Sequence, residues 1–268
     1  MADAGLAPTT PTRNRVWRFS WPLASSALAL GLWSLVVLVL KPQPYVLPAP
    51  WDVLARMWTD RFLLLIHGTS TMETILVGLF ISIIVAIPLG VAIVAIPVAE
   101  KLLYPQVVAF NAIPKVVLAP LFVVWLGYGF MPRVLITTSI AFFPILVSTI
   151  TGLVGIDPEL LRLARVLRGQ TLQIFWHMRL PQALPSIFSG IKVGTGLAVI
   201  GAILGEFVAS DQGWGYLLLS ASGVLDTTIM FAIIFILAVV ATALFSLVGL
   251  VERSTVSWHA SQRQQASG

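Results

Sequence analysis

The sequence predicts an all-α integral membrane protein with six transmembrane helices, and three observations carry that expectation. Of 268 residues, 58% are apolar and only 10% are charged, whereas soluble domains carry roughly a quarter charged residues. Mean hydropathy is +0.95, and a soluble fold of this size cannot hide so much apolar surface. The apolar residues also fall into runs of about 20, the length that crosses a bilayer. A disordered chain is excluded and a soluble enzyme is disfavoured. Cysteine is absent, which removes disulfides, thiolate metal sites and a cysteine nucleophile. The net charge is +5, but the charges are sparse and lie between apolar runs, so topology explains them better than nucleic-acid binding.

The elements follow in order. Residues 1–20 form a polar tail with Arg13, Arg15 and Arg18, and no cleavable signal is expected there. The membrane domain covers 21–250. Its first span is Trp21–Leu40, with Trp17, Trp21 and Trp33 as interfacial anchors. Pro42, Pro44, Pro48 and Pro50 then stop any helix. Trp51–Thr59 reads as a short interfacial helix, because Trp51, Leu54 and Trp58 share one face. The second span is about Thr71–Ile96, interrupted at Pro88-Leu89-Gly90, and the polar turn Val98–Lys101 follows. The third is about Leu103–Leu126, with Pro105, Pro114 and Pro120 inside it. After Gly127-Tyr128-Gly129 comes the fourth, about Val134–Val154, containing Pro144. A charged break over 155–180 precedes the fifth span, about Ala183–Val208. Ser210–Asp226 is a glycine-containing loop whose segment Gly213–Leu219 either dips back into the membrane edge or forms an ordinary loop helix. The sixth span is about Thr228–Leu250, and 251–268 form a polar tail.

Short-loop Lys and Arg set the orientation. With the N-terminus inside, ten fall on the cytoplasmic side (Arg13, Arg15, Arg18, Lys101, Arg162, Arg165, Arg168, Arg179, Arg253, Arg263). Four fall outside (Lys41, Arg56, Arg61, Arg133). Both termini are therefore expected in the cytoplasm.

The loop between spans four and five is the most informative segment. Asp157-Pro158-Glu159 starts a helix, with Asp as cap, Pro in the first turn and an acid at the positive end of the dipole. Leu160, Leu163, Ala164 and Leu167 repeat at helical spacing and form an apolar face, while Arg162, Arg165 and Arg168 lie on other faces. Gly169 ends the helix, and Ile174, Phe175 and Met178 give a second apolar face before Leu180-Pro181. Such a face in a loop without a core is covered either by a second protein or by the bilayer surface.

This loop resembles the EAA loop of binding-protein-dependent ABC importer permeases. Counted back from Leu180-Pro181, the family's Glu-Ala-Ala falls on Arg162, Leu163 and Ala164 and its Gly on Arg168, so Ala164 matches and Gly169 stands one position late. Further segments are similar to the sulfonate, taurine and nitrate branch: Leu47-Pro48-Ala49-Pro50, Ile87-Pro88-Leu89-Gly90, Ile113-Pro114-Lys115 with Ala119-Pro120-Leu121, and Trp125-Leu126-Gly127-Tyr128-Gly129. Phe142-Phe143-Pro144, and Gly205-Glu206-Phe207 followed by Gly213-Trp214-Gly215-Tyr216-Leu217, complete the series. The resemblance implies a type I ABC importer permease fold in the bacterial inner membrane. It also implies a homodimer, two cytoplasmic ATPase subunits and an external solute-binding protein. Residues Glu159, Arg162, Leu163, Ala164, Arg165, Leu167, Arg168 and Gly169 would then form the coupling helix that the ATPase grips. The chain carries no Gly-Lys pair, so it has no phosphate-cradling P-loop, and no cofactor is expected in it. ATP would be bound by the partner.

Charges inside spans are costly unless paired or wetted. Lys115 in the third span and Lys192 in the fifth, both toward the cytoplasmic side, either line a water-filled path and attract an anion, or snorkel to headgroups or pair with a carbonyl. Asn111 and Thr195 could add polar lining, and Glu73, Glu206 and His67, near the outer ends of their spans, either make an interfacial or inter-helix hydrogen bond or serve a pore gate. Gly190 with Gly194, and Gly201 with Gly205, let the fifth span approach a neighbour closely, read as the dimer partner or the third span. The cargo suggested by the branch is a small organic or inorganic anion (sulfonate, taurine, nitrate or aromatic carboxylate). The alternative function is a stand-alone secondary carrier or channel for a small anion. A membrane-embedded enzyme is disfavoured because His67, His177 and His259 are scattered.

Overall fold

The computed structural model describes residues 15–167 and 170–256. Most of the expected N-terminal tail, the C-terminal tail beyond Val256, and Arg168 and Gly169 lie outside the described residues. Every element among the described residues is helical.

Helix α1 (Arg15–Leu40) contributes a shorter apolar stretch, Ala24–Leu40. The four prolines that follow it end it as expected, and α2 (Pro50–Thr59) starts with Pro50 in its first turn and leaves Trp51, Leu54 and Trp58 exposed. Four helices are long and apolar enough to cross a membrane: α3 (Arg61–Ala95), α6 (Phe130–Val154), Leu172–Ala209 and α11 (Thr227–Thr255). The expected third span is not one straight helix. It consists of α4 (Pro97–Ala112), a 3-10 turn (Lys115–Leu118) and α5 (Ala119–Leu126), with the two halves bent by 82°. If that bent pair is one crossing, these elements give up to five.

Proline chemistry explains both the break and its absence elsewhere. Pro114 disfavours helical backbone at Ile113, which is extended (φ −69°, ψ 129°), and Pro120 sits in the first turn of α5, where its missing N–H costs nothing. The interruption expected at Pro88 does not occur, because α3 runs through it to Ala95. There the helix is clamped: Ala86 is fully buried, and a Cβ on Gly90 would lie 2.8 Å from Thr149 Cγ2. Packing of this kind tolerates a lost backbone bond inside a membrane helix.

The core is a three-helix stack of α3, α6 and α9 (Leu180–Ala209), in which Ile75, Ala86, Ile145, Leu146, Ile150 and Ala183 are almost inaccessible. The glycine pairs of α9 face α6, not the third span. Cβ atoms on Gly190, Gly194, Gly201 and Gly205 would meet Ser148, Ile145, Thr137 and Arg133 at 2.5, 2.9, 2.8 and 3.0 Å. The charged break holds α7 (Pro158–Val166), α8 (Thr171–Ile174) and a wide π-type turn, Phe175–Arg179, running into α9. The loop after α9 forms a genuine helix, α10 (Trp214–Gly223), packed against α3, α9 and α11. At this end α2 is tied to the α10–α11 turn by Arg56, which bonds Asp226 at 2.9 Å, while Asp226 caps Ile229 N–H.

Candidate functional site

The chemistry-bearing side chains fall into three places. The first is the bend of the broken span. Lys115 donates its ammonium to the Asn111 carbonyl and, at 3.1 Å, to Asn111 Oδ1. The same ammonium lies 4.7 Å from the centroid of the Phe143 ring. Phe143 is midway along α6. Asn111 is exposed and Lys115 half-buried.

The second is a buried polar cluster at the opposite end of the stack from α7. Glu206, in the last turn of α9, is 1% exposed. Its Oε2 accepts Gly215 N–H at 2.7 Å and the Thr71 hydroxyl at 3.1 Å. Thr71 Oγ1 accepts Trp214 N–H at 2.8 Å, and His67 Nδ1 accepts Gly213 N–H at 3.0 Å. Three consecutive N–H groups at the start of α10 are thus capped by side chains from α3 and α9, filling the role that a local cap plays in an isolated helix. Trp214 Nε1 donates to Leu64 O at 2.8 Å, and a Cβ on Gly68 would lie 2.5 Å from the indole. Buried Arg133 donates to Ser70 Oγ at 2.8 Å and to Gly129 O at 3.1 Å, and its charge acts on Glu206.

The third is the charged loop. Asp157 Oδ1 accepts Glu159 N–H at 2.8 Å, the cap expected there. Glu159 and Arg162 are exposed and Ala164 half-buried, while Leu163 and Arg165 lie on the α7 backbone. Leu160, Val166, Leu167, Leu172 and Trp176 are exposed, whereas Phe175 packs into the core.

Asn111 and Lys115 come together; the other candidates for the path do not join them. Lys192 is ion-paired to Glu252 on α11, with the Phe245 ring 5.7 Å away. Thr195 is fully buried and donates to Ile191 O at 2.8 Å on its own helix. Glu206 belongs to the α10 cap. Sequence reasoning missed Arg133, Thr71 and Glu252 as partners, since they meet their counterparts across 60 or more residues. Among the described residues no group of three His, Asp or Glu gathers to hold a metal.

Long apolar helices, a broken span with a polar bend and an apolar-faced loop at one end define the membrane-spanning subunit of a transporter. Residues 78–257 match the family described as binding-protein-dependent transport system inner membrane component. The chain belongs to that family: it is an ABC importer permease subunit, a multi-pass inner-membrane protein similar to the sulfonate and taurine branch. It is 34% identical to the riboflavin transport system permease protein RibX of Chloroflexus aurantiacus, over 94% of this chain and 96% of that one. It is 27% identical to the taurine transport system permease protein TauC of Escherichia coli, over 92% and 95%. An inward-facing structure of the MetNI methionine ABC transporter shares the fold, with TM-score 0.59 and 20% identity over 78% of this chain and 98% of that chain.

Proposed function

We propose that this subunit works as a homodimer with two cytoplasmic ATPase subunits and passes a small organic or inorganic anion of the sulfonate, taurine, nitrate or aromatic carboxylate type. An external solute-binding protein delivers the solute, and the chain binds no ATP itself. In this arrangement α1 is the first of six crossings, the membrane domain is 21–250, and both termini and the coupling loop 155–180 are cytoplasmic. The relatives are named for different solutes, riboflavin and taurine.

The observation that supports the ATP-driven mechanism is the exposed apolar surface of the charged loop. Val166, the last residue of the helix that Asp157 caps, is 78% exposed, and Leu167, which follows it, is 74% exposed. An apolar face of this kind on a short capped helix suits a groove on a second protein. A stiff lever gripped there turns ATPase closure into rigid-body movement of the helices behind it. Glu159, Arg162, Leu163, Ala164, Arg165, Leu167, Arg168 and Gly169 make up that lever. The test is co-purification from membranes. Val166→Asp with Leu167→Asp should leave insertion intact and remove most of the bound ATPase. Undiminished ATPase in the double variant would overturn the assignment, as would full transport by the chain alone in vesicles.

A further inference from the structure

Most charges inside the spans have a partner of opposite sign. Lys192 is paired with Glu252, and Arg133 lies beside Glu206. Lys115 is different. Its partners are a carbonyl, an amide oxygen and a ring face, and among the described residues it meets no carboxylate. Glu73, on α3, is exposed and is not among its partners. The ring holds the ammonium in place without cancelling its charge. The Asn111 amide also keeps its two N–H donors, since the bond to Lys115 uses only the oxygen.

This cation sits midway along α6, at the point where a span is broken, and the surrounding surface of Ile113, Val116 and Val117 is exposed. A charge at such depth faces a protein interior or water, not lipid. In secondary carriers, solute sites gather at discontinuous helices near mid-membrane, where irregular backbone lines a cavity, and a broken span offers the same polar opening here. Resting on the permease assignment above, we propose that Lys115 and Asn111 form an anion-binding station on the translocation path. It takes the oxyanion head of a small sulfonate or carboxylate on the Lys115 ammonium and the Asn111 amide N–H groups, with Phe143 as the wall that fixes the ammonium.

The chain has no native cysteine, which gives a direct test in the assembled transporter. Ile113→Cys, two residues from Lys115, is labelled with a sulfonate-bearing and a trimethylammonium-bearing methanethiosulfonate. With Lys115 present, the anionic reagent should be favoured over the cationic one when each rate is taken relative to that with a free thiol in solution, and ethanesulfonate should slow it. In Ile113→Cys with Lys115→Gln the anionic-to-cationic rate ratio should fall by at least about fivefold, the effect of one unit charge at close range under water-like screening. Lys115→Arg should keep the ratio. An unchanged ratio in the Gln variant would overturn the proposal. So would an Ile113→Cys thiol that resists both water-borne reagents but reacts with a lipid-soluble maleimide. The labelling reads charge at the bend and not the motor, so its failure is distinct from loss of ATPase co-purification, which strikes the permease mechanism instead.

Discussion

Glu206 Oε2 and Gly215 N–H are joined by a 2.7 Å hydrogen bond across the loop that separates α9 from α10. That bond stands in for a local helix cap, and it leaves no room beside it. Gly213 has φ +108°, and a Cβ there would fall 2.2 Å from the Glu206 carboxyl carbon. Glu206→Ala therefore strands Gly215 N–H, at a cost of about 1–3 kcal/mol for a buried unsatisfied group, and leaves the Thr71 hydroxyl only its longer bond to His67 O at 3.3 Å. Gly213→Ala meets both a backbone conformation that L-residues avoid and a clash. Both variants should lower the unfolding temperature in detergent and speed hydrogen exchange over 213–223, with Glu206→Gln milder than Glu206→Ala. Unaltered exchange in α10 would show that the cluster does not hold it.

The close contact of α9 with α6 gives a second prediction. A Cβ on Gly201 would lie 2.8 Å from Thr137 Cα, which is backbone and cannot swing aside. Gly196, five residues earlier on the same helix, has nothing within 4 Å. Gly201→Ala should cost about 1–3 kcal/mol by forced separation of the helices, whereas Gly196→Ala should be neutral or slightly stabilising through helix propensity. Thermal unfolding of the two variants side by side is the check, and equal effects would refute the α6–α9 contact.

The pattern of what the sequence reveals follows from the range of the forces involved. Apolar run length marks α3, α6, α9 and α11, because burial in lipid demands it along the chain itself. Asp157-Pro158-Glu159 announces the start of α7, since a cap acts over two or three residues. The prolines of the third span are visible too, but their outcomes are not: Pro114 breaks the span, whereas α3 passes through Pro88. That difference depends on Thr149 packing against Gly90, 59 positions later in the chain. Lys115 and Asn111 are four residues apart but lie on opposite sides of the Pro114 break, so helical spacing alone does not give their pairing. The Phe143 ring, the Glu252 partner of Lys192 and the Arg133–Ser70 bond are tertiary and leave no local trace. The same holds for the face that α9 turns toward α6, since a glycine stripe shows that something is close but not what.

The Asp157 cap makes the lever testable apart from its apolar face. Asp157 Oδ1 accepts Glu159 N–H at 2.8 Å. Losing an N-cap costs about 0.5–2 kcal/mol, which a nine-residue helix can ill withstand. Asp157→Ala should therefore fray α7 and loosen the link between ATP hydrolysis and uptake, while Asp157→Ser or Asp157→Asn should preserve it. The measurement is the ratio of solute moved to ATP hydrolysed in proteoliposomes. A normal ratio in Asp157→Ala would mean that α7 is not the transmitting element.

The ion pair between Lys192 and Glu252 separates two explanations of why a charge sits inside α9. If the pair is structural, each charge exists to neutralise the other. Their side chains are 22% and 14% exposed, so neither is well solvated alone. Removing one member of a buried pair costs about 3–5 kcal/mol, because the other charge is left uncompensated, while replacing both with apolar groups is often nearly neutral. Partial exposure should reduce the single-variant cost below that range. Lys192→Met and Glu252→Leu should each destabilise α9 against α11, and the double variant should recover most of the loss in a thermal double-mutant cycle. Transport should follow the same order, with the double variant closer to the parent than either single one. If instead Lys192 itself handled the solute, the double variant would regain stability and still fail to transport.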